Sequence, residues 1–433
     1  MILFANTISP RFRYIASFIG NEIIGKDFIL TSDRNYFSEY EGAKINYSNF
    51  QIVADEFKVG NVSLLFEKGV EPQKITCFEF EKSKAFFKSS GDFPFDVFAA
   101  SFYLISRYEE YFDHVKDEYG RYAHEQSLAS KEIFLSIPLV NMWIQELKKK
   151  LQQKFPTYQF RDQKFKLQLT YDIDEAYSYL HKSWWRSARG MAKSIAIGQW
   201  SFFLERINVL FGKIKDPYDS FQWMNEIHGK TKTQPIYFFH VGSQTSQYDK
   251  NILLSVPAFR QLVKNLSKKY VLGVHPSWQS NANTLQLKEE IETLEDITEK
   301  KITTSRQHFL RFSIPHTFRN LIQAGITDDY SMGYGGVNGF RASVASPFFW
   351  YDLQNERATN LLLHPFCFMD ATSFYKRKSS AEQVFAELNK YYDLIKSVNG
   401  KMIIIWHNNF LGTDKRFTVW KEMYERFILE RLT

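Results

Sequence analysis

Apolar and polar positions follow two different rhythms along the chain. From residue 1 to about 160, short β-type runs recur: ILFAN, DFILTSD, FQIVAD, VSLLFEKG and ITCFEF. An amphipathic helix, RFRYIASFIGNEIIG, lies between the first two and is closed by glycine. A strongly apolar helical pattern, FPFDVFAASFYLISRYEEYFDH, and an amphipathic one, VNMWIQELKKKLQQKF, follow. These predict a mixed α/β unit over residues 1–160, and FPTYQFRDQKF reads as a linker. From 161 to 433 strand-like runs alternate with helical ones. The strand-like runs are KLQLTYDID, PIYFFHVG, YVLGVHPSW, TTSRQHFLRF, GITDDYSMG, NLLLHPFCF and KMIIIWHNNF. The helical runs between them include PAFRQLVKNLSKK, TLQLKEEIETLEDITEK, IPHTFRNLIQAG and AEQVFAELNKYYDLIKSVNG. Repeated β-then-α order predicts parallel strands with crossover helices. About seven such strands predict an α/β fold of distorted (β/α)7-barrel type.

The chemistry-bearing residues fall at one place in this pattern. In LQLTYDIDEAYSY an apolar alternation ends in Asp172 and Asp174, which stand two apart and so share a strand face. Like charges so placed repel unless a cation or a proton lies between them. His240, His275, His308, His364 and His407 also sit at or just past strand ends. The carboxyl ends of the strands are where a parallel barrel builds its active site. Any one of these histidines is more often structural, so the constellation carries the signal. His114, His124, His181, His228 and His316 fall elsewhere and read as surface or core residues.

Composition adds limits. The chain has 433 residues, 44% of them hydrophobic and 17% aromatic, enough for a sizeable core and for aromatic walls in a carbohydrate cleft. The net charge of +7 suits an anionic partner, but no zinc finger, RNA-binding signature or basic tail points to nucleic acid. Two distant cysteines, Cys77 and Cys367, fit reduced thiols and a cytoplasmic setting. The first residues do not read as a signal peptide, and no run of 18 apolar residues occurs.

Over roughly residues 165–415 the order of these segments resembles the polysaccharide deacetylase family, the carbohydrate esterases of NodB-type fold. It is most similar to the branch whose first motif is DxD rather than TFDDG. The N-terminal unit with PFDVFAASFYLISRYEEY resembles the extra domain of Bacteroidetes-type members. TYDID resembles motif one, which implies Asp172 as general base and Asp174 as metal ligand. GVHPSWQS resembles motif two, which implies His275 as a metal ligand and puts Gln279 where the family has a second histidine. TTSRQHFLRFSIP falls where the family has a base-orienting arginine. Arg306 and Arg311 both compete for that role, with Arg306 favoured. DDYSMGYGGVNGFRAS falls at motif four but keeps its tryptophan and aspartate pattern poorly. His364 in LLLHP and His407 in IIIWHN both fit the catalytic histidine of motif five, with His407 favoured as the acid.

The resemblance implies removal of an N-acyl group, such as acetyl, from an amino sugar or glycan by metal-assisted attack of water, with a divalent metal and zinc as the first expectation. An amide oxygen at Gln279 is a weak zinc ligand. His308 or His240 is then the expected third ligand. A metal-independent amidohydrolase on a small amide and an inactive carbohydrate-binding protein are the alternatives. Trp278, Arg311, Tyr334 and Asn338 are expected near substrate. The glycine-rich SMGYGGVNGF lacks phosphate-loop spacing and reads as an adaptable loop. Arg107, Glu109 and Glu110 read as a solvated ion-pair face. Residues 181–215 carry seven Lys/Arg against one Glu, with Trp184, Trp185 and Trp200. They read as a helical lid packed on the barrel. The alternative is peripheral contact with an inner-membrane surface or an anionic glycan.

Overall fold

The computed structural model describes residues 1–161, 163–182 and 184–432, and the side chains of Trp184 and Arg186 lie outside the described set. Four parallel strands form the first sheet: β1 (Ile2–Ala5), β2 (Ile29–Thr31), β3 (Lys44–Tyr47) and β4 (Phe57–Lys58), in the order β2-β1-β3-β4. The helix Pro10–Ile24 connects the first two. Ser9 caps its start, and Gly25 ends it in the left-handed conformation, with φ 74°. Two expected strands are absent. FQIVAD is a loop because the Glu56 carboxylate takes the backbone N–H groups of Ile52 and Val53, which a ladder would otherwise use. SLLF forms one turn of 3-10 helix, Ser63–Phe66, an outcome open to any short apolar run. The small antiparallel pair β5 (Phe78–Phe80) and β6 (Ser83–Ala85) completes the N-terminal strands.

The main sheet has nine strands: β7 (Lys166–Ile173), β8 (Ile236–Phe239), β9 (Val271–Val274), β10 (Thr304–Ser305), β11 (Asp328–Asp329), β12 (Phe348–Asp352), β13 (Arg357–Leu363), β14 (Phe368–Met369) and β15 (Lys401–His407). Their order is β12-β13-β11-β10-β9-β8-β7-β15-β14, all parallel except the β12–β13 hairpin. No ladder closes the expected barrel among the described residues. The two flanks of the sheet are instead linked through the chain itself. β13 pairs with β11 at one side, β14 pairs with β15 at the other, and both belong to the single segment Arg357–Met369. Past the ends of β11 and β13 the pairing continues, with His364 N–H bonded to Asp329 O and Phe366 N–H to Met332 O.

The largest apolar cluster runs through both sheets, and two smaller ones lie beside it, one around Phe238, Ile403 and Ile405 and one around Ile2, Phe4 and Phe37. The expected linker is tied down: the Met1 amino group donates to Tyr158 Oη at 3.1 Å, and Arg161 N–H donates to Ile23 O. Arg107, Glu109 and Glu110 are not a solvated face. The helix Val97–Ile105 is buried at every position, and it carries the next turn into the interior. There Glu110 accepts from Arg107 Nε at 2.7 Å and from both Arg341 Nε and Nη2, at 2.8 and 2.5 Å. Burial opposes its charge, yet the two guanidinium groups hold Glu110 down to about 2.

His228, on the helix Phe221–Thr231, lies in the core behind β7, with Nε2 2.7 Å from Tyr171 Oη. Burial pushes it down to about 4 from 6.5. Its folded pKa is depressed, so the unfolded chain takes the proton first as acid is added. Stability should fall between pH 6.5 and 4, by on the order of 3 kcal/mol from this group. Urea unfolding of wild type and of His228→Gln at pH 7 and pH 4.5 checks this: the variant should lose less between the two pH values, and an equal loss contradicts it.

Candidate active site

Parallel register brings the strand-end residues together. His240 N–H donates to Ile173 O, His275 N–H to Phe239 O and Arg306 N–H to Val274 O. Each residue therefore steps off the end of its strand beside its neighbour. On the other flank β15 pairs with β7 so that His407 lies opposite Asp172. Asp172, Asp174, His275, His308 and His407 line a cavity of about 410 Å³.

Asp172 is 2% exposed, and its Oδ1 accepts from Arg306 Nη1 at 2.7 Å. Arg306 has no exposure and no freedom. Its Nη2 donates to Thr170 Oγ1 at 2.9 Å, its Nε donates to Tyr330 O at 3.0 Å, and its guanidinium lies 4.3 Å above the Phe238 ring. The bonded charge keeps Asp172 oriented with Oδ2 toward the cavity side.

Asp174 sets a sharper requirement. Its side chain is 38% exposed, but Oδ1 is closed off from solvent and has no hydrogen-bond partner. That oxygen lies 3.2 Å from His275 Nε2 and 3.7 Å from His308 Nε2. His275 Nδ1 is 2.6 Å from Arg306 O, an acceptor only, so the ring proton sits on Nδ1. His308 Nδ1 points at Asp249 Oδ1 at 3.1 Å and is likewise committed. Two imidazole lone pairs thus face a carboxylate oxygen. Such an arrangement is stable only around a positive charge. A proton on His308 Nε2 answers the same need for positive charge at this oxygen. Burial opposes charge on both groups, but His308, His275 and His407 hold Asp174 well below the usual carboxylate range. Asp174 and Asp249 push His308 up to about 9. Asp174, His275 and His308 offer one atom each, all within 4.8 Å of one another. Two imidazole nitrogens and one carboxylate oxygen are the donor set of catalytic zinc with a position left open.

Asp249 was not legible in the sequence. It lies in the loop after β8 and is 1% exposed, and it accepts from His240 Nε2 at 3.0 Å and from Trp278 N–H at 3.0 Å as well as from His308. His240 takes the Gly242 N–H on Nδ1, and burial pushes it down to about 4, so it is neutral. It therefore buttresses Asp249 and does not touch Asp174. Carboxylates behind a ligating histidine fix its tautomer in this way.

On the opposite side His407 Nδ1 lies 2.6 Å from Asp370 Oδ1, and His407 N–H donates to Asp370 Oδ2 at 2.7 Å. Its Nε2 faces the cavity, 3.8 Å from Asp174 Oδ2. Burial works against the imidazolium, but Asp370, then Asp174 and Asp172, push it up to about 10. Asp370 also escaped the sequence reading, although an acid directly after the apolar FCFM is the same signal that marks Asp172.

Several expected positions lie elsewhere. Gln279 is exposed and outside the cation-capable group: Ser277 N–H bonds Glu290 and Ser280 N–H bonds Ser277 Oγ, a turn that projects 279 into solvent. His364 does not line the cavity. It stacks on Tyr330 at 4.1 Å and bonds Asp328 at 2.8 Å, near Lys401 at the amino end of β15. Asn338 is spent internally on Ser373, Glu387 and Met369 N–H. Tyr334 is buried beside Arg107 and lines an adjoining cavity of about 210 Å³. Trp278 and Arg311 stand one layer back. The Arg311 guanidinium is 4.3 Å above the Trp278 ring, and Trp278 stacks at 4.0 Å on Tyr248, which does line the cavity.

The N-terminal unit reaches this cavity too. Tyr119 and Arg121 line it, and Arg121 Nη1 donates to Phe309 O at 2.7 Å. Tyr119 lies 5.2 Å from the Phe309 ring. Phe309 and Leu310 hold φ of 56° and 53°, a strained conformation for bulky residues that costs roughly 1–3 kcal/mol each.

Residues 1–156 match the model of a family described as a family of unknown function (DUF7033). No curated protein matches the chain. Among solved structures, a "probable polysaccharide deacetylase" from Pseudomonas aeruginosa PAO1 aligns with a TM-score of 0.40 and 12% identity, over 62% of this chain and 85% of its own. A polysaccharide deacetylase from Bacillus cereus aligns with a TM-score of 0.29 and 11% identity, over 62% and 89%. A pseudoenzyme of the CE4 family from Bacillus anthracis aligns with a TM-score of 0.30 and 8% identity, over 62% of this chain and 63% of its own. All lie below a TM-score of 0.5, so the functional reading rests on the residues described above.

If Asp174, His275 and His308 hold a divalent cation, zinc should stabilise the chelator-treated protein by about 2.7 kcal/mol at a free concentration near 100 times its Kd. His308→Ala should remove that gain in a thermal-shift titration while His364→Ala keeps it. Equal gains in both variants contradict the assignment.

Proposed function

We propose that the chain hydrolyses the N-acyl amide of an amino sugar or N-acylated glycan, using a divalent cation held by Asp174, His275 and His308. The observation that carries this reading is the buried Asp174 oxygen without a hydrogen bond, faced by two imidazoles whose other nitrogens are committed. Beside it stand an arginine-held carboxylate and a carboxylate-held imidazole, the two groups that amide hydrolysis needs for moving protons.

When bound, the cation supplies Lewis acidity toward the acyl carbonyl oxygen and a water molecule. Asp172, fixed by Arg306, accepts a proton from the attacking water. His407, charged and aimed by Asp370, delivers a proton from Nε2 to the departing nitrogen, which otherwise leaves poorly. The water oxygen joins the acyl carbon, the carbon–nitrogen bond breaks, and an amine and a carboxylate leave. Solvent returns the proton from Asp172 to His407 between turnovers. Tyr119, Tyr248, Phe309 and Tyr375 line the cavity and supply apolar faces of the kind that carry a sugar ring, and the three tyrosines add a hydroxyl at the ring edge.

Acetate release from N-acetylhexosamine oligomers tests this. Asp172→Asn and His407→Gln should each lower kcat by about 10²–10⁴-fold while the fold is kept. Oligomer binding without acetate release from the metal-loaded wild type would replace hydrolysis with a binding role. Tyr119→Ala should raise KM for oligomers several-fold, with a smaller effect on kcat. An unchanged KM removes the N-terminal unit from substrate recognition.

A further inference from the structure

Residues 181–215 leave the rim of the cavity as one helix, Trp184–Ala196, and return as a second, Trp200–Leu210. Both ends of this hairpin are rooted at the site. Lys182 Nζ lies 2.5 Å from Glu175, which lines the cavity. Asp216 takes the backbone N–H groups of Ser178, Tyr179 and Leu180, and Tyr218, two residues on, lines the cavity.

The outer face of the hairpin is unlike the rest of the molecule. Of the 18 exposed large hydrophobic residues in the described chain, eight fall between Trp185 and Ile214. Trp200, Leu204 and Phe211 are 59%, 56% and 77% exposed, and their spacing of four and seven places them on one helical stripe. On the first helix Trp185 is 67% exposed, and Arg189 and Lys193, at steps of four, continue its face. The segment has seven Lys/Arg, and its one acid, Glu205, is taken by Tyr179 Oη at 3.1 Å. The expected lid packed on the barrel would have buried these side chains.

We propose that this hairpin docks on an anionic phospholipid bilayer, lying flat with the Trp200–Leu204–Phe211 stripe in the headgroup region. An apolar stripe rimmed by cations is the pattern of an interfacial helix. A second copy of the chain fits less well, because the exposed Arg189, Lys193 and Lys213 would be brought against their own copies. No helix among the described residues is long and apolar enough to cross a membrane, so contact is peripheral through this hairpin. The inference does not depend on the chemistry of the cleft. It would bring the cavity mouth close to substrates held at a membrane surface.

Vesicle co-sedimentation of the full chain tests it. Wild type should bind equimolar phosphatidylcholine–phosphatidylglycerol vesicles at least tenfold more tightly than pure phosphatidylcholine vesicles, and salt should weaken the binding. Combined Trp200→Ser, Leu204→Ser and Phe211→Ser should lower binding to the anionic vesicles by about tenfold or more, and Arg189→Gln with Lys193→Gln and Lys213→Gln should erase the lipid preference. All six positions are exposed, so the melting temperature should stay unchanged. No binding by wild type, equal binding by the variants, or lipid-free self-association that the serine variant abolishes would each overturn the proposal, the last in favour of a second copy.

Discussion

Two carboxylates share one face at the end of β7, and the architecture of the site answers the repulsion between them. Asp172 is answered by Arg306, whose nitrogens are bound to Asp172, Thr170 and the Tyr330 carbonyl, so the positive charge cannot swing away. Asp174 is answered differently. Histidines on two neighbouring strand ends converge on it, and a third faces its other oxygen. Fixed charge beside one acid and an adaptable positive site beside the other divide their roles. The first is kept oriented to accept a proton. The second is kept ready to share a cation.

The supports behind His308 and His407 are carboxylates as well, and His275 is held by the Arg306 carbonyl. Asp249 ties His308, His240 and the backbone of Trp278 into one unit, and Asp370 holds His407 by both its ring and its backbone. Each working imidazole thus has one nitrogen anchored and the other turned inward. The N-terminal unit is part of the same construction. Its Glu110 is locked between Arg107 and Arg341, and its Arg121 holds the carbonyl of the strained Phe309. The cleft wall is therefore shared between a loop of the N-terminal unit and the loops of the main sheet.

Much of this was readable along the chain. Apolar runs ending in Asp172, His275 and His407 marked β7, β9 and β15, because a buried strand must end where polar chemistry begins. Short runs were less decisive: FQIVAD and SLLF are apolar enough for strands, but a local carboxylate and a 3-10 turn took their backbone groups. Spacing along one segment also could not say which side chain completes the cation-capable group. Gln279 occupies the expected place in sequence, yet its turn faces solvent, while His308 arrives from the next strand end. Asp249 lies in a loop with no periodicity, so only the fold reveals it. His364 shows the converse, a strand-end histidine whose ring is taken up by Asp328 and Tyr330 and stays out of the cavity. Arg107 and Glu110 looked solvated because charge was weighed without the burial of the helix before them.

The most direct test is crystallographic: anomalous scattering at the zinc edge from crystals grown with the metal. The account predicts one strong peak about 2.0–2.2 Å from Asp174 Oδ1, His275 Nε2 and His308 Nε2. A peak on other residues, or His275 and His308 turned away from Asp174 with no peak between them, would contradict it.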